Sequence, residues 1–213
     1  MTKILITGAN GQLGSELRNL LDERGIAYDA FDSKQMDITD QAVVNEKISA
    51  LKPEVIYHCA AYTAVDNAED VAKDLNWQVN ADGTRNVAEA AKRVGAKMVY
   101  ISTDYVFDGT NEGEYEVDAP TNPRNEYGKA KLAGEKAIQE TLADYYIIRT
   151  SWYEFATEIL KDKDVEVAPV DSSAYPAKAY RPRHSVMSLK KAEDTGFEIV
   201  NWQTALNKFM EII

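Results

Sequence analysis

Tyr127 and Lys131 stand four residues apart, so on a helix they project from one face. A phenol has an ordinary pKa of about 10, too high for ready proton exchange at neutral pH. An ammonium within a few ångströms favours the phenolate and draws that pKa toward the working range. A hydroxyl at the end of a neighbouring strand, Thr103, would hold a substrate carbonyl in line for the same proton. Thr103, Tyr127 and Lys131 together would make a proton-delivery site. The spacing Tyr-x-x-x-Lys also occurs on plain exposed helix faces, so its meaning rests on the elements around it.

Those elements are legible. Lys97-Met98-Val99-Tyr100-Ile101-Ser102-Thr103 is a compact apolar run that predicts a strand ending at the hydroxyl. Asp104-Tyr105-Val106-Phe107-Asp108-Gly109 and a proline-punctuated loop follow, and a helix then opens at Tyr127-Gly128-Lys129-Ala130-Lys131. Small residues at Ala130, Ala133, Gly134 and Ala137 would let that helix pack closely.

The chain opens with a second informative unit. The strand Lys3–Thr7 runs into Gly8-Ala9-Asn10-Gly11-Gln12-Leu13-Gly14, and Leu13, Leu17, Leu20 and Leu21 then recur at helical spacing. Strand, glycine turn and helix in succession form the dinucleotide-binding context. Amides at the helix N-terminus, those of Gln12 and Leu13 among them, would receive a pyrophosphate, and the glycines would let it approach. The alternative is a tight strand-to-helix turn and nothing more.

A second strand, Ala27–Phe31, ends at Asp32, which suits a ribose 2′-hydroxyl and favours NAD, while Lys34 would partly offset that for NADP. Asp37 and Ile38 follow on a loop where an adenine would lie between an acceptor and an apolar side chain. Either aspartate is otherwise a solvated turn residue. Thr39 and Asp40 start a helix that Pro53 closes. The third strand, Val55–Ala60, leads into Ala61-Tyr62-Thr63, where small residues would let a flat ligand pass at Ala60, Ala61 and Tyr62. His58 reads as a paired core histidine and Cys59 as a core thiol. The stretch from Asp66 to Val94 predicts one or two helices, with Asn80 inside and in need of partners.

A fifth strand, Tyr145–Thr150, completes an alternation that predicts an α/β fold: a doubly wound, Rossmann-like parallel sheet with ligands at the strand C-terminal ends. Beyond it the pattern changes. Tyr153–Leu160 reads as helical, Val165–Val170 as extended, and two short helices are expected around Ser188–Thr195 and Trp202–Ile213. Between them Lys178, Arg181 and Arg183 make a basic loop, either an anion site or a solvated linker. The expected division is a dinucleotide-binding unit at 1–152 and a small, truncated substrate domain at 153–213.

Composition narrows the class. The 213 residues are 45% hydrophobic and 28% charged, as in ordinary globular proteins. No run approaches the roughly 18–20 apolar residues of a membrane span, and no signal layout precedes the first strand. A single cysteine excludes an internal disulfide framework. The net charge of −11 argues against general nucleic-acid binding. A cytoplasmic protein without membrane or nucleic-acid partners is expected.

Gly8-x-x-Gly11-x-x-Gly14 with Tyr127-x-x-x-Lys131 resembles the extended short-chain dehydrogenase/reductases. More narrowly, Ala61-Tyr62-Thr63-Ala64-Val65-Asp66, Ser102-Thr103-Asp104-Tyr105-Val106-Phe107-Asp108-Gly109, Arg149-Thr150-Ser151-Trp152 and the tail from Arg181-Pro182 are similar to the dTDP-4-dehydrorhamnose reductase family. The resemblance implies reduction of the 4-keto group of a dTDP-sugar by NADPH or NADH. It makes Thr103, Tyr127 and Lys131 catalytic, with Lys131 also on the nicotinamide ribose. It places Thr63, Val65, Thr103, Asp104, Tyr105 and Trp152 around the substrate. Family members are longer, and a stretch is missing here after Trp152, which would remove a sixth strand and leave an edge open to self-association or a homodimer. Metal-linked dimers occur in the family through glutamates; Glu16 remains without placeable partners, and no metal is assigned. Two alternatives stand beside the reductase. One is a non-catalytic nucleotide-binding regulatory subunit, as relatives serve in methionine adenosyltransferase assemblies. The other is a sugar-nucleotide epimerase or dehydratase, although a dehydratase needs an acidic pair and Thr103-Asp104-Tyr105 supplies one acid.

Overall fold

The computed structural model describes residues 3–151 and 177–197. Five strands, β1 (Ile4–Thr7), β2 (Tyr28–Phe31), β3 (Val55–His58), β4 (Lys97–Thr103) and β5 (Tyr145–Thr150), form one sheet in the order β2-β1-β3-β4-β5. Every neighbouring pair is parallel. The order reverses between β1 and β3, and in such sheets the crevice beyond the strand ends at the reversal is the ligand site. Three of the strands are shorter than the sequence predicts: β1 begins at Ile4, β2 begins at Tyr28 and β3 ends at His58, so Cys59, Ala60 and Ala61 lie on the loop beyond the ladder.

Alternation along the strands builds two cores, since successive side chains point to opposite faces. On one face Leu5, Ile56, Met98 and Tyr100 pack with Val44, Ile48, Val87, Ala91 and Ile138. These come from α2 (Gln41–Leu51), α4 (Thr84–Val94) and α5 (Glu126–Thr141). On the other face Ile4 and Ile6 pack with Leu17 and Leu21 of α1 (Gln12–Glu23). Asp40 caps α2 by accepting from the amides of Ala42 and Val43, as its position before an apolar-periodic run predicts.

The stretch from Asp66 to Val94 is more elaborate than one or two helices. A 3₁₀ turn (Asn67–Glu69) precedes α3 (Lys73–Trp77), which runs through a π-helical turn (Gln78–Gly83) into α4. Such turns occur mostly as single insertions in α-helices, frequently at functional sites. Here the turn carries the buried Asn80.

Residues 177–197 return to the sheet. Tyr115 and Met187 form a parallel bridge, and Val106, Phe107, Tyr115 and Met187 make a third apolar cluster. The helix expected around Ser188–Thr195 is shorter, α6 (Lys190–Glu193). The expected helices at Tyr153–Leu160 and Trp202–Ile213, the extended run Val165–Val170, and Trp152 lie outside the described residues. Among the described residues no helix is long and apolar enough to cross a membrane.

Candidate active site

The glycine turn divides its labour. Gly8 sits at φ 67°, and a side chain there would meet the backbone of Ala60 at 2.5 Å. A methyl on Gly14 would collide with the carbonyl of Gly8, so Gly14 is buried for close packing of helix on turn. Gly11 differs: its nearest obstacle is the same carbonyl at 3.3 Å, and the position is exposed. Gly11 is also the N-cap of α1, with no side chain capping it. By contrast, α2 and α5 are capped by Asp40 and Asn125. The first amides of α1, at the exposed Gln12 and Leu13, therefore keep donors for an anion.

A cleft of about 320 Å³ opens at the switch point. Its lining includes Gly8, Gly11, Asp32, Asp37, Ile38, Ala60 and Ala61, seven of the residues read from the sequence as cofactor contacts. Asp32 is more engaged than expected. One carboxylate oxygen accepts from the amides of Lys34 and Gln35, the other from Asn10 Nδ2 at 2.7 Å. A ribose hydroxyl would compete with Asn10 for it. Asp37 accepts from the amide and hydroxyl of Thr39, and Ile38 is buried against Gly83.

Tyr62 is pinned by Asn80, whose Oδ1 accepts from the Tyr62 amide and whose Nδ2 donates to the Tyr62 carbonyl. Asn80 Nδ2 also donates to Asn76, and Asn76 Nδ2 to the Glu126 carbonyl at the start of α5. The π turn thereby ties the loop after β3 to the helix that carries Tyr127. Asn76 gave no signal in the sequence beyond its polarity. His58 is a core histidine as read: Thr7 Oγ1 lies 2.7 Å from Nδ1 and Thr84 Oγ1 3.1 Å from Nε2, and burial holds its pKa down at about 3. Burial likewise pushes the Cys59 thiol up to about 11.

Thr103, Asp104, Tyr105 and Tyr127 converge beyond β4. Asn125 caps α5 through the Gly128 amide, and Gly128 has no side chain to strike the Tyr105 carbonyl. The rings of Tyr105 and Tyr127 meet edge to face, 5.7 Å apart. Burial pushes the Tyr127 pKa up to about 12, with the neighbouring Thr103 hydroxyl pulling weakly the other way. The expectation that Lys131 draws this phenol toward neutrality is therefore corrected. Lys131 Nζ donates to the Ile101 carbonyl at 2.7 Å and lies over the Tyr100 ring. Helical spacing set the backbone positions, but the flexible side chain takes the nearest strong acceptor. Burial, opposed by Glu135 one turn on, brings the lysine pKa down to about 7.

The substrate side is framed by the returning segment. Thr63 is exposed and Val65 half-buried on the loop after β3. Arg181 forks onto Asp66, at 3.1 and 3.0 Å, and Lys178 pairs with Asp70. Two of the three cations of the basic loop are thus engaged by carboxylates at the surface, which counts against the anion-site alternative. Arg181 also bonds Tyr105, and Ala179 N donates to Asp66. Asp104, expected at the substrate, is buried with one oxygen accepting from Thr103 Oγ1 and the other from Ser185 Oγ. Neither Ser185 nor the buried Glu135–Arg149 pair was read from the sequence.

Comparisons with known proteins agree with this layout. The family described as RmlD substrate binding domain matches the chain in two stretches, residues 1–152 and 150–213. A dTDP-4-dehydrorhamnose reductase from Streptomyces griseus is 48% identical over 149 residues, 70% of this chain and 49% of that protein. The chain thus matches about half the length of that relative. A spore coat polysaccharide biosynthesis protein, SpsK of Bacillus subtilis, is 31% identical across 99% of this chain and 98% of its own. That alignment spans 277 positions against 213 residues here, a difference of 64. The crystal structure of a dTDP-4-dehydrorhamnose reductase from Bacillus anthracis in complex with NADP superposes with a TM-score of 0.92 at 31% identity, covering 100% of each chain.

Proposed function

The chain belongs to the RmlD substrate-binding domain family, and on that premise we propose that it reduces the 4-keto group of dTDP-4-dehydro-L-rhamnose, giving dTDP-L-rhamnose. The observation that carries the reading is the meeting of Thr103 and Tyr127 at the end of β4, beside the switch-point cleft. The residues present fit a nicotinamide dinucleotide. The uncapped α1 amides and the open face of Gly11 suit its pyrophosphate, while Asp32, Asp37 and Ile38 suit its adenosine half. NADPH or NADH, when bound, supplies the hydride.

Each residue has a stated task. Tyr127 keeps its proton at neutral pH and gives it from Oη to the ketone oxygen as charge develops there. Thr103 Oγ1 stands beside that phenol at the end of β4. Lys131 offers Nζ to the nicotinamide ribose after leaving the Ile101 carbonyl. Thr63, Val65 and Tyr105 line the sugar-nucleotide pocket, and the Arg181 charge lies near the Tyr105 phenol.

The chain divides into units at 1–152 and 153–213. The two-part family match, overlapping at Thr150, Ser151 and Trp152, supports a junction there with a stretch left out. The protein is cytoplasmic and self-associates as a homodimer or larger. A non-catalytic nucleotide-binding role is the second reading, favoured by the 64-position difference from SpsK. Calorimetry with NADPH and then dTDP-L-rhamnose, followed by an NADPH-oxidation assay with dTDP-4-dehydrorhamnose, separates them. Turnover establishes the reductase, and cofactor binding without turnover establishes the second reading.

A further inference from the structure

Ser185 lies 81 residues beyond Asp104 in the chain, yet its hydroxyl donates to Asp104 Oδ2 at 2.7 Å. Both are buried, at 6% and 8% exposure, so the bond is sheltered from water. The second carboxylate oxygen, Oδ1, accepts from Thr103 Oγ1 at 3.1 Å. A threonine hydroxyl has one proton and two lone pairs. Here the proton goes to Asp104 and one lone pair takes the Tyr105 amide at 3.2 Å, so the hydroxyl is held on two sides. The rotation of the Thr103 hydroxyl is therefore fixed from behind, by a carboxylate that Ser185 holds.

We propose that Ser185 is a positioning residue, which through Asp104 fixes the rotation of the Thr103 hydroxyl beside Tyr127 and so leaves the phenolic proton free for the reacting face. The proposal rests on the reductase reading for its consequence in turnover, and on geometry alone for the relay. Asp104 has a reason to need the serine. Burial pushes its carboxyl pKa up, and the Ser185 hydrogen bond is the strongest influence pulling it back, followed by that of Thr103. The aromatic groups facing the carboxylate are Tyr105 and Tyr127, each of which its charge makes harder to ionise. Without Ser185 the carboxyl would take up a proton more readily. It would then cease to be an acceptor-only group, and the Thr103 hydroxyl would be free to rotate. The same bond ties the returning segment 177–197 to the catalytic strand, so docking of that segment and orientation of Thr103 are one event.

The test uses the full chain. In ¹³C-aspartate and ¹³C-tyrosine NMR, with resonances assigned by Asp104→Asn and Tyr127→Phe, Ser185→Ala should raise the Asp104 titration midpoint. The Tyr127 ring carbon should shift across that new midpoint. In the NADPH assay Ser185→Ala should lower kcat by about ten- to thirtyfold, the loss expected for one hydrogen bond to a charged group. KM and NADPH affinity should hold. Because the two residues act in series, Ser185→Ala with Asp104→Asn should cost no more than Asp104→Asn alone. Unmoved Asp104 and Tyr127 titrations, or additive losses, overturn the proposal. If the wild-type chain shows no turnover, the reductase reading fails while the two titrations still decide the relay.

Discussion

At Tyr127 and Lys131 the sequence pattern and the folded geometry diverge in an instructive way. Tyr127 is a buried acid of high pKa, and its value to catalysis is the proton it retains. Tyr127→Phe removes that proton and keeps the ring, so NADPH affinity should persist while turnover falls by about 10²–10⁴-fold. Steady-state kinetics beside a binding titration checks both halves. Lys131 makes a stability prediction with a definite sign. Its pKa falls from 10.5 to about 7 on folding, chiefly through burial. Between those values the unfolded chain binds a proton that the folded chain does not, so this lysine's contribution to stability rises with pH across that window. Below about pH 7 its burial costs most, on the order of a few kcal/mol. Urea unfolding of wild type and Lys131→Met from pH 6 to pH 10 should show the difference moving steadily in favour of wild type. A flat difference would mean the lysine titrates as it does in water.

Among the elements, the β1–α1 turn and the π turn position the site. Gly14 and Gly11 look equivalent in a motif but differ in space. Gly14→Ala forces a methyl into the Gly8 carbonyl and should cost about 1–3 kcal/mol of stability, seen as a lowered melting temperature. Gly11→Val should leave melting nearly unchanged and abolish NADPH binding by calorimetry, because its side chain occupies the open side of the turn. Equal melting losses in both variants would show that Gly11 too is a packing residue. The π turn was not legible: a six-residue segment with one asparagine reads as plain helix, and only the carbonyl and amide of Tyr62 explain why Asn80 lies where it does.

For the whole molecule the decisive feature is β5. Among the described residues it is one of the sheet's two edges, opposite β2, with Tyr146 61% and Ile148 46% exposed on one face. Edge strands with exposed apolar residues pair with other chains unless blocked. Gly8 to Lys131 lie in one sheet-based unit, while the alignment with SpsK spans 64 positions more than this chain has. Orientation of bound reactants accounts for roughly 7–11 kcal/mol of barrier lowering in favourable cases, so loss of sugar contacts can silence an intact proton site. The expected result is measurable NADPH binding, weak reductase activity, and a mass above the monomer in light scattering. Tyr146→Lys with Ile148→Lys should return the monomer. A monomeric wild type with full turnover would contradict this account.

Local pattern was enough for the parallel α/β fold and the strand–glycine turn–helix unit, because strand and helix periods and turn glycines act over a few residues. Contacts across the chain were not legible. Arg181 finds Asp66 across 115 residues and Ser185 finds Asp104 across 81, and these pairings tie the basic loop to the loop after β3 and give Asp104 an internal donor. The direction of Lys131 was equally hidden, since a long cationic side chain goes to whichever buried acceptor is within reach. That acceptor, the Ile101 carbonyl, is brought there only when α5 packs on β4.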